Sequence, residues 1–329
     1  MTENNSIQHH PYMQRCFQLA KVGESFTPPN PMVGAVLVYE GRIIGEGYHT
    51  EYGAAHAEVD CIQSVKEADK SLIEKSTLYV SLEPCSHFGK TPPCTDLIIH
   101  HKIPKVVISV LDTFHKVNGS GIQKLRDNGV DVVFGILEEE GKYLIRHFLY
   151  YHKNHLPYVT LKVAQSKEGF MGIHGQEINI SNALAKRFTH KLRAQHQGIL
   201  IGKNTVLSDN PELNVRHWNG RNPERIILGD ETGIPKEYHI FNGLPSTLFL
   251  SGDIHSVLKK LAERNIISIL VEGGANTLEQ FLKANLWNEA HIIHTNISLK
   301  QGITAPTIRG TLKKTITLDD NTIHWYKND

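Results

Sequence analysis

The 329-residue sequence is poor in cysteine, nearly balanced in charge and without a long apolar run. Its four cysteines exclude a small scaffold held together by disulfides. The formal net charge of +1, with no block of like charges, is not typical of a broad basic surface for nucleic acid. No apolar stretch approaches the roughly 20 residues of a membrane span, and residues 1–10 lack the apolar core of a signal peptide. We therefore expect a cytoplasmic protein with no nucleic-acid partner and no membrane partner.

The length exceeds what one hydrophobic core usually organises, which predicts two domains. Hydrophobic residues make up 40% and charged residues 21%, as in globular enzymes. In both halves, short apolar stretches of strand length alternate with stretches of helical periodicity. This alternation predicts two α/β layered domains, which we place at 1–150 and 151–329. One connecting helix is expected over 138–153.

Two of the cysteines, Cys85 and Cys94, lie outside apolar helical patterns, whereas Cys16 and Cys61 lie within them and are typical of core thiols. Cys85 closes the tripeptide Glu83-Pro84-Cys85, which directly follows an apolar strand pattern. We expect Cys85 and Cys94 to lie at or just before helix starts. There the positive end of the helix dipole favours a thiolate over a thiol.

His56 and Glu58 stand two residues apart at the beginning of another helical pattern. One histidine and two cysteines are enough protein ligands for a catalytic zinc that keeps one position open. His-x-Glu followed by Pro-Cys and a second Cys is the zinc deaminase signature, in which the glutamate moves protons and is not a ligand. The pattern predicts zinc ligands at His56, Cys85 and Cys94, with Glu58 as the catalytic residue.

The histidine and the glutamate can face one site only if His56 lies at the helix entry. Within a helix, residues two apart point about 200° away from each other. The preceding loop, Glu51 to Ala54, allows a non-helical backbone at His56. We therefore expect His56 just outside the helix.

The interval between the two cysteines distinguishes this chain from nucleic-acid deaminases. Those enzymes usually have two residues between the thiols, whereas the eight residues from Ser86 to Pro93 separate them here. A nucleic-acid-editing deaminase would also need a basic, aromatic-rich groove, and it is the less favoured alternative. His87 and Lys90 in this loop are candidates to contact the substrate, and the alternative is that both are solvated loop side chains.

Three stretches resemble the bifunctional deaminase/reductase family of riboflavin biosynthesis, namely Asn30 to Ala35, His56 to Glu58 and Leu82 to Thr95. The resemblance continues into the second half and covers nearly the whole chain. It implies an α/β protein with an N-terminal cytidine-deaminase-like three-layer domain and a C-terminal dihydrofolate-reductase-like domain. It also implies zinc-dependent deamination of a pyrimidine nucleotide, 2,5-diamino-6-ribosylamino-4(3H)-pyrimidinone 5′-phosphate, and then NADPH reduction of the ribosyl group to a ribityl chain. Family members assemble, so a homo-oligomer is expected.

The same resemblance assigns roles residue by residue. His56, Cys85 and Cys94 match the zinc ligands, and Glu58 matches the proton carrier. The deaminase's substrate-binding positions match Asn30, His49 and Lys90. The reductase's cofactor-binding positions match Ala164, Asn179, Thr205, Asp209, Gly274, Ala275, Asn276 and Thr277. Its substrate-binding positions match Lys162, Glu177, Arg193, Leu213, Arg216 and Glu272.

The second half lacks a Gly-x-Gly-x-x-Gly after a strand, so a Rossmann dinucleotide fingerprint is absent. The pair Gly273-Gly274 joins a strand pattern to a helix pattern instead, and paired glycines let backbone amides approach a phosphate. By itself this pair is weak support, because Gly-Gly is more often only a turn. Arginines at Arg193 and Arg216 suit a substrate phosphate, which their planar forks can bind bidentately.

Departures from the family pattern lie between residues 166 and 182. Glu168 stands where the family usually has aspartate, and Asn179 stands where it has tryptophan. Glu177 replaces a serine at a substrate-contacting position, where its charge would repel a phosphate. These changes leave open an alternative in which the chain is a deaminase only, with a degenerate, non-catalytic reductase-like domain.

Overall fold

The computed structural model describes residues 7–88, 92–112, 119–176, 178–243 and 246–328. The chain folds into two compact units, Met1–Lys153 and Asn154–Asp329. The division falls three residues beyond the boundary that the sequence suggested at 150. Among the described residues, no helix combines the length and the apolar character that crossing a membrane requires.

The first unit is built on one mixed β-sheet flanked by helices. Its strands are β1 (Gly34–Tyr39), β2 (Arg42–Tyr48), β3 (Thr77–Leu82), β4 (Lys105–Val110) and β5 (Asp131–Phe134). Its helices are α1 (His10–Ala20), α2 (Ala57–Gln63), α3 (Cys94–His100), α4 (Ser120–Asp127), α5 (Glu138–Leu144) and α6 (Arg146–Asn154), with 3-10 segments at Lys21–Gly23 and Glu67–Lys75. The strand order is β2-β1-β3-β4-β5. The β1–β2 and β1–β3 pairs are antiparallel, and the β3–β4 and β4–β5 pairs are parallel.

Both faces of this sheet are covered because its central strands are apolar on both sides. Ala35 and Leu37 pack into one hydrophobic cluster with helices α2, α3 and α4. Val36 and Val38 pack into a second cluster with α1 and the end of α5. Alternate residues of a strand point to opposite faces, so the two clusters lie on opposite sides of the sheet. The expected three-layer α/β arrangement is confirmed.

The prediction of a single helix over 138–153 is wrong. Two helices occupy this stretch, because the chain leaves the helical conformation at Ile145, the residue after α5 (φ −103°, ψ 23°). Ile145 is buried in the cluster that includes α1. The sequence pattern could not reveal the break, since no proline or glycine marks it.

The second unit is built on a longer mixed sheet. Its strands are β6 (Tyr158–Gln165), β7 (Gly198–Gly202), β8 (Glu224–Leu228), β9 (Thr247–Leu250), β10 (Ser268–Val271), β11 (Glu289–His294), β12 (Thr311–Leu318) and β13 (Asn321–Lys327). Its helices are α7 (Ala183–Gln195), α8 (Lys203–Asp209), α9 (Ile254–Glu263) and α10 (Ala275–Lys283), with a 3-10 segment at His239–Phe241. The strand order is β12-β13-β11-β6-β10-β7-β8-β9.

Strands β11, β6, β10, β7, β8 and β9 of this sheet run parallel to one another, whereas β13 is antiparallel to both of its neighbours, β11 and β12. The parallel strands therefore end at one edge of the sheet. In open α/β sheets, ligands bind outside the carboxyl ends of the strands. This edge is where a binding site is expected.

Candidate active sites

The first candidate site lies where α2, α3 and the loop after β3 meet. His56 is the N-cap residue of α2 and keeps an extended backbone (φ −74°, ψ 160°), so its expected place at the helix entry is confirmed. Cys94 is the first residue of α3. Cys85 lies in the loop after β3 and not at a helix start, so that part of the expectation is wrong. A hydrogen bond from the Thr95 backbone N–H to the Cys85 carbonyl oxygen joins this loop to α3.

The three side chains are close enough to share one zinc ion. His56 Nδ1 lies 3.3 Å from Cys94 Sγ and 3.6 Å from Cys85 Sγ. All three ligand atoms lie within 4.8 Å of one another. Tetrahedral ligands at roughly 2.0–2.3 Å from zinc are themselves about 3.5–3.8 Å apart. The donor set and its spacing therefore fit zinc with three protein ligands.

The thiols and the imidazole of this cluster influence one another's protonation. The hydrogen bond with Cys94 lowers the pKa of Cys85 to about 4, and His56 adds to this lowering against the effect of burial. The same hydrogen bond, together with burial, raises the pKa of Cys94 well above its ordinary value. The hydrogen bond with Cys85 raises the pKa of His56, against the effect of burial. The cluster thus favours a thiolate at Cys85, which is the form that binds a metal.

Glu58 lies in the first turn of α2 and is only 4% exposed. Burial raises the pKa of its carboxyl group, and the neighbouring Cys85 raises it further. The carboxyl group is also hydrogen-bonded to Cys94. A buried carboxyl group beside the zinc ligands can accept and return protons, as general acid–base catalysis requires.

His56, Glu58 and Cys85 line a cavity of about 380 Å³, and Asn30 and His49 line the same cavity. His49 Nδ1 donates to the Ala55 carbonyl oxygen at 2.8 Å, so its Nε2 is the acceptor for the Asn30 side-chain amide at 3.1 Å. Burial lowers the pKa of His49, which keeps the ring neutral. This chain of contacts orients the Asn30 amide so that its oxygen remains an acceptor for a ligand.

The cysteine loop is only partly described. Lys90, the third expected substrate-binding residue of this site, lies outside the described residues. His87 lines the cavity. The structure therefore brings Asn30, His49 and His87 to the cavity that the zinc cluster shares.

Glu83 was assigned no role from the sequence, although its side chain is buried and connects two segments of the site. Its two carboxylate oxygens accept four hydrogen bonds, with N···O distances of 3.0–3.3 Å, from the backbone N–H groups of Asp112, Gly119, Gly121 and Ile122. A Cβ atom at Gly121 would lie 2.3 Å from the Pro84 carbonyl oxygen, so only glycine allows this close approach. Glu83, which follows β3 and lies two residues before Cys85, thereby connects this segment to the start of α4.

The second candidate site is a cavity of about 1410 Å³ at the carboxyl edge of the second sheet. It is lined by Ala164 of β6, Glu272 after β10, Gly202 of β7, Gly229 after β8 and Ser251 after β9. These strands are consecutive in the sheet, and at about 4.8 Å per strand the row is about 19 Å long. The row suits an extended ligand such as a dinucleotide, and the volume leaves room for a second molecule beside it.

The reductase positions expected from the sequence line this one cavity, as far as they are described. They are Lys162, Ala164, Asn179, Arg193, Thr205, Asp209, Leu213, Arg216, Glu272, Gly274, Ala275, Asn276 and Thr277. Glu177 lies outside the described residues.

A buried charged cluster lies in the wall of this cavity. Glu272 accepts two hydrogen bonds from Arg193, from Nε at 2.7 Å and from Nη2 at 3.0 Å. A Glu272 carboxylate oxygen also lies 3.8 Å from Lys162 Nζ. Burial alone would raise the pKa of Glu272, but the charges of Arg193 and Lys162 lower it to about 2. Burial lowers the pKa of Lys162. Glu272 therefore remains a carboxylate at neutral pH, inside an otherwise cationic wall.

Glycines bring β7 and the start of α10 together. A Cβ atom at Gly202 would lie 2.5 Å from Thr277 Oγ1, and one at Gly273 would lie 3.1 Å from the backbone of β7. The Gly274 N–H donates to Thr205 Oγ1 at 3.1 Å. The first N–H groups of a helix have no partner within it, so the start of α10 can bind a phosphate at this junction.

The departures from the family pattern fit their local surroundings. Glu168, in place of aspartate, accepts hydrogen bonds from Ser298 Oγ and, at 2.8 Å, from the Leu299 N–H. These bonds lower the pKa of Glu168 to about 2. Asn182 is the N-cap of α7 and accepts the Ala185 N–H at 2.8 Å. Asn179 lines the cavity.

Three cationic or potentially cationic residues of this cavity were missed in the sequence, namely Lys186, His190 and His217. Lys186 and His190 lie seven and three residues before Arg193 on α7. This helical spacing puts Lys186, His190 and Arg193 on one face of α7. That spacing from Arg193, which the sequence had indicated as a substrate-binding residue, was the available signal.

The comparisons with known proteins match both halves of the chain. The family model for the RibD C-terminal domain matches residues 157–324, and that for the cytidine and deoxycytidylate deaminase zinc-binding region matches residues 6–110. Riboflavin biosynthesis protein RibD of Aquifex aeolicus is 37% identical, over 84% of this chain and 84% of its own. RibD of Bacillus amyloliquefaciens is 36% identical, over 90% of this chain and 86% of its own.

Solved structures agree over nearly the full length. A diaminohydroxyphosphoribosylaminopyrimidine deaminase/5-amino-6-(5-phosphoribosylamino)uracil reductase from Thermotoga maritima is 32% identical, with a TM-score of 0.92. The match covers 99% of this chain and 100% of the Thermotoga chain. RibD of Acinetobacter baumannii is 29% identical, with a TM-score of 0.89 over 98% of this chain and 99% of its own.

Proposed function

The chain belongs to the RibD family of riboflavin biosynthesis proteins, and we propose that its two cavities are the deaminase and reductase sites of that family. Both domains of the bifunctional enzyme are present, which favours two consecutive reactions over a deaminase with a degenerate second domain. The fold class, a cytidine-deaminase-like domain followed by a dihydrofolate-reductase-like domain, is confirmed.

In the first reaction, water replaces an amino group of 2,5-diamino-6-ribosylamino-4(3H)-pyrimidinone 5′-phosphate, and ammonia leaves. Zinc, when held by His56, Cys85 and Cys94, supplies the Lewis acidity that makes water a nucleophile near neutral pH. Glu58 takes one proton from this water and delivers it to the ring nitrogen. It then takes the remaining proton of the hydroxyl group added to the ring carbon and delivers it to the amino group, which leaves as ammonia while the carbonyl forms. Asn30 offers its amide oxygen to an N–H of the pyrimidine. The observation that carries this proposal is the convergence of the three ligand atoms beside a cavity that His56, Cys85 and Glu58 line.

In the second reaction, the ribosyl group of the deaminated nucleotide becomes a ribityl chain. NADPH, when bound along the strand ends, supplies the hydride. One hydride reaches the anomeric carbon, the bond from this carbon to the ring oxygen breaks, and the product gains one proton overall. Lys162 offers hydrogen-bond donors and Glu272 an acceptor at the inner wall of the cavity. We propose that both contact the sugar, because they face the same cavity from β6 and from the residue after its neighbour β10.

An assay that follows both products tests the bifunctional proposal. The purified protein is incubated with the diaminopyrimidine nucleotide and NADPH, while ammonia release and loss of NADPH absorbance are recorded together. We expect ammonia to appear and NADPH to be consumed. Ammonia without NADPH consumption would support the deaminase-only alternative, and absence of both would contradict the proposal. A matched incubation with single-stranded RNA or DNA is expected to release no ammonia.

Further statements about this chain stay predictions. They are the homo-oligomeric state, the cytoplasmic location and the absence of a nucleic-acid partner. The contacts of Lys90 and Glu177 with substrate also stay predictions, since both residues lie outside the described part of the chain.

A further inference from the structure

His190 occupies a position in the reductase cavity for which the reaction described above has no use. It lies on α7, three residues before Arg193 and four after Lys186. These spacings place the three side chains on one face of the helix, and all three line the cavity. His190 is 4% exposed, so only a small part of the ring faces the cavity.

The ring's hydrogen bonding fixes where its proton lies. His190 Nδ1 accepts the backbone N–H of Arg216 at 3.2 Å, so Nδ1 carries no proton. A neutral imidazole must then carry its proton on Nε2, as a donor. Burial lowers the pKa of His190 to about 4, and the nearby charges of Arg193 and Arg216 contribute. The ring is therefore neutral at physiological pH.

The Nε2 atom is available to a ligand. Across residues 7–88, 92–112, 119–176, 178–243 and 246–328, no hydrogen bond to His190 Nε2 is found, and this atom is not among the buried polar atoms that lack a partner. An atom of a cavity-lining ring that is neither bonded nor sealed off faces the cavity. His190 thus presents one N–H donor whose direction is fixed by its contact with Arg216.

The surroundings of this donor favour an anion. Lys186 and Arg216 line the same cavity, and His217 packs edge-on against His190 at 4.7 Å between ring centroids. Arg193 has fewer N–H groups available to a ligand, because three of them already donate within the protein. Its Nε and Nη2 atoms donate to Glu272, and its Nη1 atom donates to the Asn214 carbonyl oxygen at 3.0 Å. An anion in this region needs donors besides Arg193.

We propose that His190 is a substrate-binding residue of the reductase, and that its neutral Nε2–H donates to a phosphate oxygen of the substrate. This inference rests on the proposed function, because it takes a ribosylaminopyrimidine 5′-phosphate as the substrate. His190 does two things in this account. Through Nδ1 it holds the backbone of Arg216, and through Nε2 it binds the phosphate.

Two variants separate these contacts. In His190→Asn the side-chain oxygen takes the place of Nδ1 and still accepts the Arg216 N–H, but no donor reaches the place of Nε2. In His190→Gln the amide nitrogen reaches the place of Nε2, but the acceptor at Nδ1 is lost. A hydrogen bond to a charged group is strong enough for its loss to change binding roughly 10-fold or more.

The experiment compares the reductase kinetics of the deaminated nucleotide with those of its dephosphorylated nucleoside. For the nucleotide, we expect His190→Asn to raise KM roughly 10-fold with kcat nearly unchanged, and His190→Gln to restore most of the affinity. For the nucleoside, wild type and His190→Asn should have the same KM. Ammonia release by the same preparations serves as the control for folding of the zinc domain.

The possible contrary results lead to different conclusions. If wild type is active and His190→Asn has an unchanged KM for the nucleotide, the inference is overturned. An equal loss of reductase activity in both variants, with the nucleotide and the nucleoside alike, would also overturn the inference, since a purely structural role predicts that pattern. If wild type oxidises no NADPH with the nucleotide, the reductase assignment fails and the inference fails with it.

Discussion

A single residue, His56, decides whether the deaminase site can form. Its extended backbone at the entry of α2 lets its side chain point to the same cavity as Glu58, although the two are only two residues apart. In mid-helix their side chains would point about 200° apart. The residue types and this backbone requirement were visible in the sequence. The contact between Asn30 and His49, which orients the Asn30 amide, was not visible, because it joins positions 19 residues apart.

Replacing Glu58 by glutamine should separate metal binding from catalysis. Glu58→Gln keeps the side chain's shape and leaves the three ligands in place, but it removes the group that carries protons. We expect unchanged zinc content and a loss of ammonia release of roughly 10²–10⁴-fold, the usual contribution of general acid–base catalysis. Metal analysis and an ammonia assay on one preparation measure both. Retained turnover would show that another group carries the protons.

Replacing Glu272 by glutamine should destabilise the protein because two buried cations lose their counter-charge. The side chains of Arg193, Lys162 and Glu272 are 13%, 16% and 8% exposed, respectively. Removing one partner of a buried ion pair costs about 3 kcal/mol or more. We expect Glu272→Gln to lower the free energy of unfolding by about this amount in denaturant titrations at neutral pH. An unchanged midpoint would mean that the cluster is solvated.

The pH dependence of that difference has a definite sign. The pKa of Glu272 is lowered from 4.5 to about 2, so the ionised form of this side chain stabilises the folded state relative to the unfolded state. The stabilisation is fully present above 4.5 and is lost as pH falls toward 2. We expect the difference in unfolding free energy between wild type and Glu272→Gln to be constant above pH 4.5 and to shrink below it. A difference that grows on acidification would contradict this assignment.

At the scale of elements, strand ends and helix starts position the chemistry. An apolar strand was expected directly before Glu83, and β3 (Thr77–Leu82) ends there, as observed. Strands β11 to β13 were missed. The side chains of β12 are mostly exposed, so its sequence has no alternating apolar pattern to detect. Helix α8 was also missed, since seven residues are too few for a clear period.

The contacts of Glu83 join two such elements and predict a role in metal affinity. Glutamine at this position keeps one acceptor oxygen but turns an N–H donor toward backbone N–H groups that now bond to a carboxylate. The loop with Cys85 should then lose its fixed position. Losing a group that orients a metal ligand typically weakens metal binding roughly 10- to 100-fold. Competition with a chelator measures this change in Glu83→Gln.

The control for that measurement is the reductase activity of the same variant with the deaminated nucleotide, which should match wild type. A zinc affinity equal to that of wild type would show that the four hydrogen bonds do not position Cys85.

At the scale of the whole molecule, two α/β units each carry a cavity whose residues come from distant parts of the sequence. Their fold class could be predicted, because alternating strand and helix patterns and the family resemblance agree. Both sets of site residues were expected from that resemblance, and their described members line two cavities, except Cys94, which lies beside the first cavity with His56 and Cys85. Glu83 could not be assigned, since its role arises only when separate segments approach each other. Lys186 and His190 share a helix face with Arg193, so that spacing was a signal that went unused.

The central claim is that zinc chemistry precedes the NADPH-dependent reaction. The most direct measurement is NADPH oxidation by chelator-treated protein, started either from the diaminopyrimidine nucleotide or from its deaminated product. We predict that zinc removal stops ammonia release and NADPH oxidation from the first substrate, leaves oxidation from the second substrate intact, and is reversed by added zinc. NADPH oxidation from the diaminopyrimidine nucleotide without zinc, or none from the deaminated product with zinc present, would contradict the account.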